Sequence, residues 1–324
     1  MPDRSTMRAA WIEEHGPSDV LRVGDRPLPE PRSHEVTIDV HAASINPRDW
    51  MIRAGSYPFR FMLPKLPVVL GSDVAGTIAE VGSEVTGFTV GDPVFAMVPS
   101  SDGFGGYAEV ATVRATAVVR KPETMSFEEA AGVPLAALTA LQALRDDARM
   151  QPGQAVVIVG ASGGVGHYGI QIARALGASE VIGVCSERNL DLVRELGCDR
   201  AIDYRAERFQ DVIEHADVVF DAVGRHHLGG VVPPLGRGGA YVTTVPSGRQ
   251  MVDSLRTRLW PFGRRSRIVL VSSRGDDLRW LADLAEAGRF RSVIDRVEPL
   301  EQVAALHDHS RTFRSRGKNI LRIR

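Results

Sequence analysis

The sequence predicts an α/β protein in two parts: a doubly wound, mostly parallel sheet in the middle of the chain and a mostly β, partly open barrel-like domain. Three observations predict it. Beyond Gln151, apolar strand runs and helical segments alternate strictly, as βαβ units do. Those strands are apolar throughout, as strands buried on both faces are. The first third instead carries short β-type runs punctuated by Gly and Pro.

In chain order, the runs "HEVTIDVHAASI", "VAGTIAEVG" and "DPVFAMV" read as strands, separated by the turns "GSEVTG", "TVGD" and "SSDGFGG". The pattern changes at Ser126. "SFEEAAGVPLAALTALQALRD" offers an N-cap serine and first-turn glutamates, then a long helix-forming apolar stripe. Strand "AVVIVG", helix "GVGHYGIQIARALG", strand "EVIGVCS", helix "RNLDLVRELG" and strand "RAIDY" follow. Then come helix "AERFQDVIEH", strand "ADVVFDAVG", a helix near "HHLGGVVPPLG", strand "GAYVTTV", a helix around Leu255 and strand "RIVLVSS". Gly177 and Gly197 stand where a helix needs a left-handed residue after its end. The tail reads as helix "DDLRWLADLAEAG", strand "SVIDRVEPL", helix "EQVAALHDHSR" and strand "KNILRIR". Residues 128–272 are therefore expected to form the parallel domain, and 1–127 with 273–324 the β-rich one.

The 324 residues, 44% hydrophobic and 24% charged with a net charge of -1, have the composition of an ordinary globular protein. No nucleic-acid or membrane partner is expected from that balance. The basic run "RTRLWPFGRRSR" is read as solvated surface or a subunit edge. Two cysteines cannot make a disulfide framework, and Cys185 and Cys198 both read as small buried residues. With no apolar leader stretch and no membrane-length apolar run, a reducing, cytoplasmic location is expected.

"VGASGGVGHYGIQIARALGA" (Val159–Ala178) carries A-x-G-x-x-G spacing from Ala161, with Gly163 and Gly166 as its second and third small residues. The strict G-x-G-x-x-G form fails, because Ser162 stands two places after Gly160. The stretch nevertheless follows a strand, opens a helix and lies in a βαβ unit. Gly163 would let backbone approach a pyrophosphate, Gly166 would let the helix pack on its strand, and the helix N-terminus would offer N–H groups to the anion. The alternative is a glycine turn chosen for packing alone. At the tip of the next strand, Ser186 and Arg188 suit a 2′-phosphate, which favours NADPH. Glu187 would repel that phosphate if it faced inward.

"AASINPRDW", "VLGSDVAGTIAEVGSEV", "GDPVFAM", "GGYAEVA", "AAGVPLAALTAL", "GASGGVG", "FDAVG" and the terminal "RGKNILRI" together resemble the medium-chain dehydrogenase/reductase superfamily, in its zinc-free quinone oxidoreductase branch. The resemblance implies a Rossmann cofactor domain, a GroES-like catalytic domain and hydride transfer from NADPH to a quinone or related α,β-unsaturated carbonyl. An enoyl or 2-alkenal reductase, or a non-catalytic NADPH-binding sensor or structural protein, are the competing readings. Zinc-dependent relatives place ligands where this chain has "SINPRD", Gly71, Ser72 and Asp73, so no metal is expected. His226 with His227, and His307 with His309, are spaced to point apart and are read as surface residues.

The resemblance puts Asn46 and Tyr57 beside the nicotinamide and acceptor, as donors to an oxygen that gains negative charge. It puts Ala161, Ser162, Gly163, Gly164, Val165 and Gly166 on the pyrophosphate, Thr139 near the nicotinamide ribose and Tyr204 near the adenosine phosphate. Val223 and Gly224 would line the cleft, with "PSGR" adjoining. Asp49 is read as a brace for its loop. Trp50, Phe59, Phe61, Met62, Trp260 and Phe262 are candidate walls without assigned roles. A homodimer is expected through the sheet-edge strand "RRSRIVLVSS".

Overall fold

The computed structural model describes residues 5–58, 63–98, 105–245, 247–259 and 263–324. The chain divides into two compact units, Met1–Leu135 with Ser272–Arg324, and Ala136–Val271. The first begins with β1 (Thr6–Ile12), β2 (Arg22–Pro27), β3 (Glu35–Ile45), α1 (Pro47–Arg53), β4 (Val68–Val69) and β5 (Asp73–Val81). It continues with β6 (Pro93–Met97), β7 (Val110–Arg114), β8 (Val118–Arg120) and α2 (Phe127–Gly132). After α3 (Pro134–Gln142), the second unit holds β9 (Ala155–Val159), α4 (Gly166–Ala175), β10 (Glu180–Cys185), α5 (Leu190–Glu195) and β11 (Arg200–Asp203). α6 (Phe209–Val212), β12 (Ala216–Asp221), β13 (Leu235–Thr243), α7 (Gly248–Leu259) and β14 (Arg265–Ile268) complete it. The chain returns to the first unit with α8 (Gly275–Glu286), β15 (Ile294–Pro299), α9 (Val303–Arg311) and β16 (Lys318–Arg322).

In the second unit the strand order is β11-β10-β9-β12-β13-β14, every described pair parallel. The order reverses between β9 and β12, and ligands of such sheets bind outside the carboxyl ends of the strands at that reversal. Val157, Ile182, Ile202, Val219 and Tyr241 form one buried cluster across it. Gly177 and Gly197 close α4 and α5 with φ of 85° and 109°, as expected.

In the first unit the order is β15-β16-β3-β5-β6-β8, with β7 also on β3, beside a small β2-β1-β4 sheet. Only β15 and β16 pair in parallel; the remaining pairs are antiparallel. Two register shifts in the β3–β5 ladder let β3 serve β16 at one end and β7 at the other. Val36, Ile38, Val74, Val94 and Val113 fill its core.

Several expectations change. The helix-forming stretch from Ser126 makes two helices: the Ser126 cap holds, its hydroxyl accepting from Glu129 N, but the run breaks before Pro134, which has no N–H to continue it. A wider turn, Ala143–Asp147, then ends the segment. The helix expected near Leu228 is a single 3-10 turn, because two glycines and the Pro233–Pro234 pair interrupt it. β14 is Arg265–Ile268 rather than "RIVLVSS": its partner β13 ends at Thr243, opposite Ile268, so no ladder exists beyond. His307 is not a surface residue. It is fully buried, because Val303, Leu306, His307 and Ser310 form the inward face of α9. His309 is half-buried, 2.7 Å from Asp295. Cys185 and Cys198 are buried free thiols, pushed up to about 11 and about 12 by burial.

Candidate active site

The stretch after β9 is built for backbone to approach something. Gly160 has φ +77°, a conformation other residues rarely adopt, and a Cβ there would lie 2.4 Å from Val223 Cγ2. A Cβ on Gly166 would lie 2.1 Å from Gly160 O, so α4 packs on the turn only through glycine. A Cβ on Gly163 would meet a single atom, Gly160 O, at 3.3 Å. The first N–H groups of the ten-residue α4 have no acceptor within the helix, and its N-terminus is partially positive, so the turn and the helix start fit a phosphate.

Of the other expected cofactor residues of the unit, Ser186, through Asn189, and Val223 lie against this turn. Ser186 caps the end of β10 and is 9% exposed. Asn189, which the sequence reading passed over, is buried and donates to Ser162 Oγ (2.9 Å) and Ser186 Oγ (3.2 Å), tying the glycine turn to the β10 tip. Arg188 and Glu187 are exposed in the same short turn, so Glu187 is solvated. Tyr204 follows β11, its N–H on Cys185 O at 3.1 Å and its ring largely exposed. Beyond β12, the N–H groups of Val223 and Gly224 both donate to Asp221 Oδ1 (3.0 and 2.8 Å). Gln250 of α7 donates to Gly224 O, holding that loop to the residues after Pro246. Thr139 is buried within α3.

In the other unit, the region where zinc-dependent relatives keep ligands is a buried polar network. Asp73, fully buried, accepts from Ser44 Oγ (2.7 Å), Asn46 Nδ2 (2.8 Å) and Leu135 N (2.8 Å). Lys318 Nζ lies 3.8 Å from Asp73 and donates to Asn46 Oδ1 at 2.6 Å. Burial pulls the Lys318 ammonium down, and the Asp73 and Asp49 carboxylates oppose that pull. The Asn46 amide, expected to meet an acceptor oxygen, is 1% exposed and spent on Asp73 and Lys318. Asp49 braces the start of α1, accepting from Asn46 N (2.8 Å), Tyr107 Oη (2.8 Å) and Ser72 Oγ (3.3 Å). Burial raises its carboxyl, and burial with the Asp49 charge raises the Tyr107 phenol well above its usual range. Gly71, with φ +94°, is required because Tyr107 packs on it: a Cβ would stand 2.3 Å from the ring.

Tyr57 is half-buried against the cluster of Ile45, Ile52 and Leu70, and burial raises its phenol, with Arg48 opposing. Trp50 is core, its indole on Ser310 Oγ at 3.2 Å and its ring edge-on to Phe313. Phe59, Phe61, Met62, Trp260 and Phe262, with Pro246, lie outside the described residues.

Among the described residues no three His, Cys, Asp or Glu gather as metal ligands would. Zinc wants thiolate, imidazole or carboxylate donors with one open position. Here an ammonium stands among the polar groups, and the nearest carboxylate, Asp73, already accepts from Ser44, Asn46 and Leu135. These residues do not fit a zinc ion. The glycine turn does fit a dinucleotide.

A switch-point parallel sheet with such a turn, in one chain with a GroES-type β unit, defines a nicotinamide-dependent oxidoreductase. The chain matches the models of the alcohol dehydrogenase GroES-like domain over residues 32–123 and of the zinc-binding dehydrogenases over residues 196–321. It is 35% identical to a 2-methylene-furan-3-one reductase of Solanum lycopersicum, over 98% of this chain and 79% of that one. It is 33% identical to the quinone oxidoreductase of Mus musculus, over 93% of each chain. A solved quinone oxidoreductase from Coxiella burnetii superposes with a TM-score of 0.88 at 33% identity, over 98% of this chain and 100% of that one. The chain belongs to the quinone oxidoreductase branch of the medium-chain dehydrogenase/reductase superfamily, and it is an oxidoreductase.

Proposed function

We propose that the protein is a zinc-independent, NADPH-dependent reductase of quinones or related α,β-unsaturated carbonyls. The observation that carries this reading is the glycine turn at the N-terminus of α4, where Gly160 and Gly166 leave no room for a Cβ. When bound, the reduced nicotinamide supplies the hydride. Ala161, Ser162, Gly163, Gly164, Val165 and Gly166 hold the pyrophosphate, and Val223 and Gly224 line the same carboxyl edge of the sheet. Ser186 and Arg188 take the 2′-phosphate, Tyr204 flanks it, and Thr139 serves the nicotinamide ribose. Exposure of Glu187 removes the repulsion that would have opposed this assignment.

On the acceptor side, Tyr57 donates a hydrogen bond to the oxygen on which charge develops. Its raised phenol is a poor acid at neutral pH, so water delivers the proton. Asn46 is a positioning residue, linking the buried Lys318 cation and Asp73 to α1. A second copy joined along the free edge of β14, and a cytoplasmic location, belong to the same reading.

Replacing Arg188 with Ala tests the cofactor assignment. NADPH affinity should fall about tenfold or more, about 1.4 kcal/mol, while NADH affinity changes little. Equal losses for both would remove Ser186 and Arg188 from 2′-phosphate recognition.

A further inference from the structure

Two polar residues at helix starts leave those helices without a side-chain cap. Ser186 begins the short turn after β10, and Asn189 begins α5. At both positions a short polar side chain ordinarily accepts from a helix N–H. Neither side chain does so. The Asn189 side chain turns back instead, 5% exposed, and donates from Nδ2 to Ser162 Oγ at 2.9 Å and to Ser186 Oγ at 3.2 Å. Its backbone N–H holds Ser186 O at 2.9 Å, which keeps the carboxamide beside the tip of β10.

A carboxamide nitrogen carries two N–H groups, and both are engaged here, one on each serine. A serine oxygen that accepts a hydrogen bond still has its own hydrogen to give, directed away from the donor it accepts from. Among the described residues neither hydroxyl donates to an acceptor, although the two serines are only 8% and 9% exposed. Ser162 follows β9 and Ser186 follows β10, and these two strands pair in parallel. One amide therefore presents two hydroxyl donors together at the carboxyl edge of the sheet. A packing role for Asn189 could be filled by any side chain of its shape, and it leaves both hydroxyl hydrogens without a purpose.

We infer that Asn189 is a positioning residue that sets cofactor preference: it directs the Ser162 hydroxyl to the pyrophosphate and the Ser186 hydroxyl to the 2′-phosphate. The inference rests on the NADPH reading above and adds to it the residue that couples the two anion subsites. A hydroxyl that accepts from an amide while it donates to a phosphate is polarised along the chain of bonds, and the bond to the anion is charge-assisted. Arg188, exposed in the same turn, brings charge on a side chain with many rotamers; the amide-held Ser186 hydroxyl brings a fixed direction. NADH has no 2′-phosphate and engages Ser162 alone, so the amide serves it through one arm rather than two.

The test is titration of the full chain with NADPH and with NADH, followed by cofactor fluorescence, which needs no acceptor. Asn189→Leu keeps the branched shape and removes both donors. It should bind NADPH about tenfold or more weakly and NADH about threefold more weakly. Ser186→Ala should lose about tenfold in NADPH affinity and bind NADH like the parent, whereas Ser162→Ala should lose both affinities equally. In the Ser186→Ala background, Asn189→Leu should no longer change the ratio of the two affinities, because the hydroxyl it directs is gone. Equal losses for NADPH and NADH in both backgrounds make Asn189 structural and overturn the inference. So does a Ser186→Ala protein that binds NADPH like the parent, a result that stands even where Asn189→Leu does not fold. A parent without preference for NADPH removes the underlying reading, and this inference with it. A parent preference that survives Asn189→Leu removes this inference alone.

Discussion

Two glycines of the proposed phosphate turn should respond to the same substitution differently, one losing affinity alone and the other affinity and stability. A methyl on Gly166 would stand 2.1 Å from Gly160 O, 2.8 Å from its carbonyl carbon and 2.9 Å from Ala161 Cα. All three atoms are backbone, so α4 must back away from the turn, and overpacking of this kind costs about 1–3 kcal/mol. A methyl on Gly163 meets only Gly160 O at 3.3 Å, which a shift of a few tenths of an ångström relieves. Its cost to folding should be under about 0.5 kcal/mol. The methyl would otherwise enter open space, which the proposed cradle gives to the pyrophosphate. Gly163→Ala should therefore unfold with the parent and yet bind NADPH about tenfold or more weakly, about 1.4 kcal/mol. Gly166→Ala should lose both stability and affinity. Urea unfolding without cofactor and titration of NADPH fluorescence separate the two effects. A Gly163→Ala protein that binds NADPH like the parent would refute the cradle, whatever its stability.

Three further outcomes follow from the buried groups. Lys318→Met should destabilise the protein by about 3–5 kcal/mol, because it leaves Asp73 charged in the core. Adding Asp73→Asn should recover much of that loss in a double-mutant unfolding cycle, and strictly additive losses would show that the pair is not coupled. His307 is held neutral at about 3 against an ordinary 6.5, chiefly by burial and next by the Arg53 charge. With the folded value depressed, its favourable contribution is complete above 6.5 and lost as pH falls from 6.5 toward about 3. Near pH 5 that loss is about 2 kcal/mol, so His307→Phe should flatten the acid limb by about that much. Superimposable acid limbs would contradict the assignment. Tyr57→Phe should keep the fold and lower kcat/KM about ten- to a hundredfold, with no compensating change in cofactor affinity. Unchanged turnover would remove Tyr57 from the acceptor site.

Most of the cofactor unit was legible in the sequence because its signals are local. Strands buried on both faces are apolar throughout, glycines mark helix ends, and a strand–turn–helix with small residues implies an anion cradle. What escaped depends on partners distant in the chain. Asn46 reads as a polar residue before a proline; its engagement with Lys318, 272 residues later, and with Asp73 emerges only when β16 pairs with β3. Lys318 at the head of an apolar strand was the available signal, since a buried lysine needs a partner. Asn189 was hidden because its two serine partners come from different loops. Spacing to His309 says nothing of the burial of His307, whereas spacing to Val303 sets it on the inward face of α9. α7 has helical periodicity, but nothing in a periodic pattern says which side faces the sheet.

The measurement that tests the central claim most directly is NADPH oxidation by the purified protein, with a small quinone and a 2-alkenal assayed in parallel and NADH as control. NADPH-dependent turnover of at least one conjugated acceptor is expected, abolished or strongly reduced in Gly166→Ala. Tight NADPH binding with no oxidation by either acceptor would contradict it and make the protein a cofactor-binding sensor or structural protein.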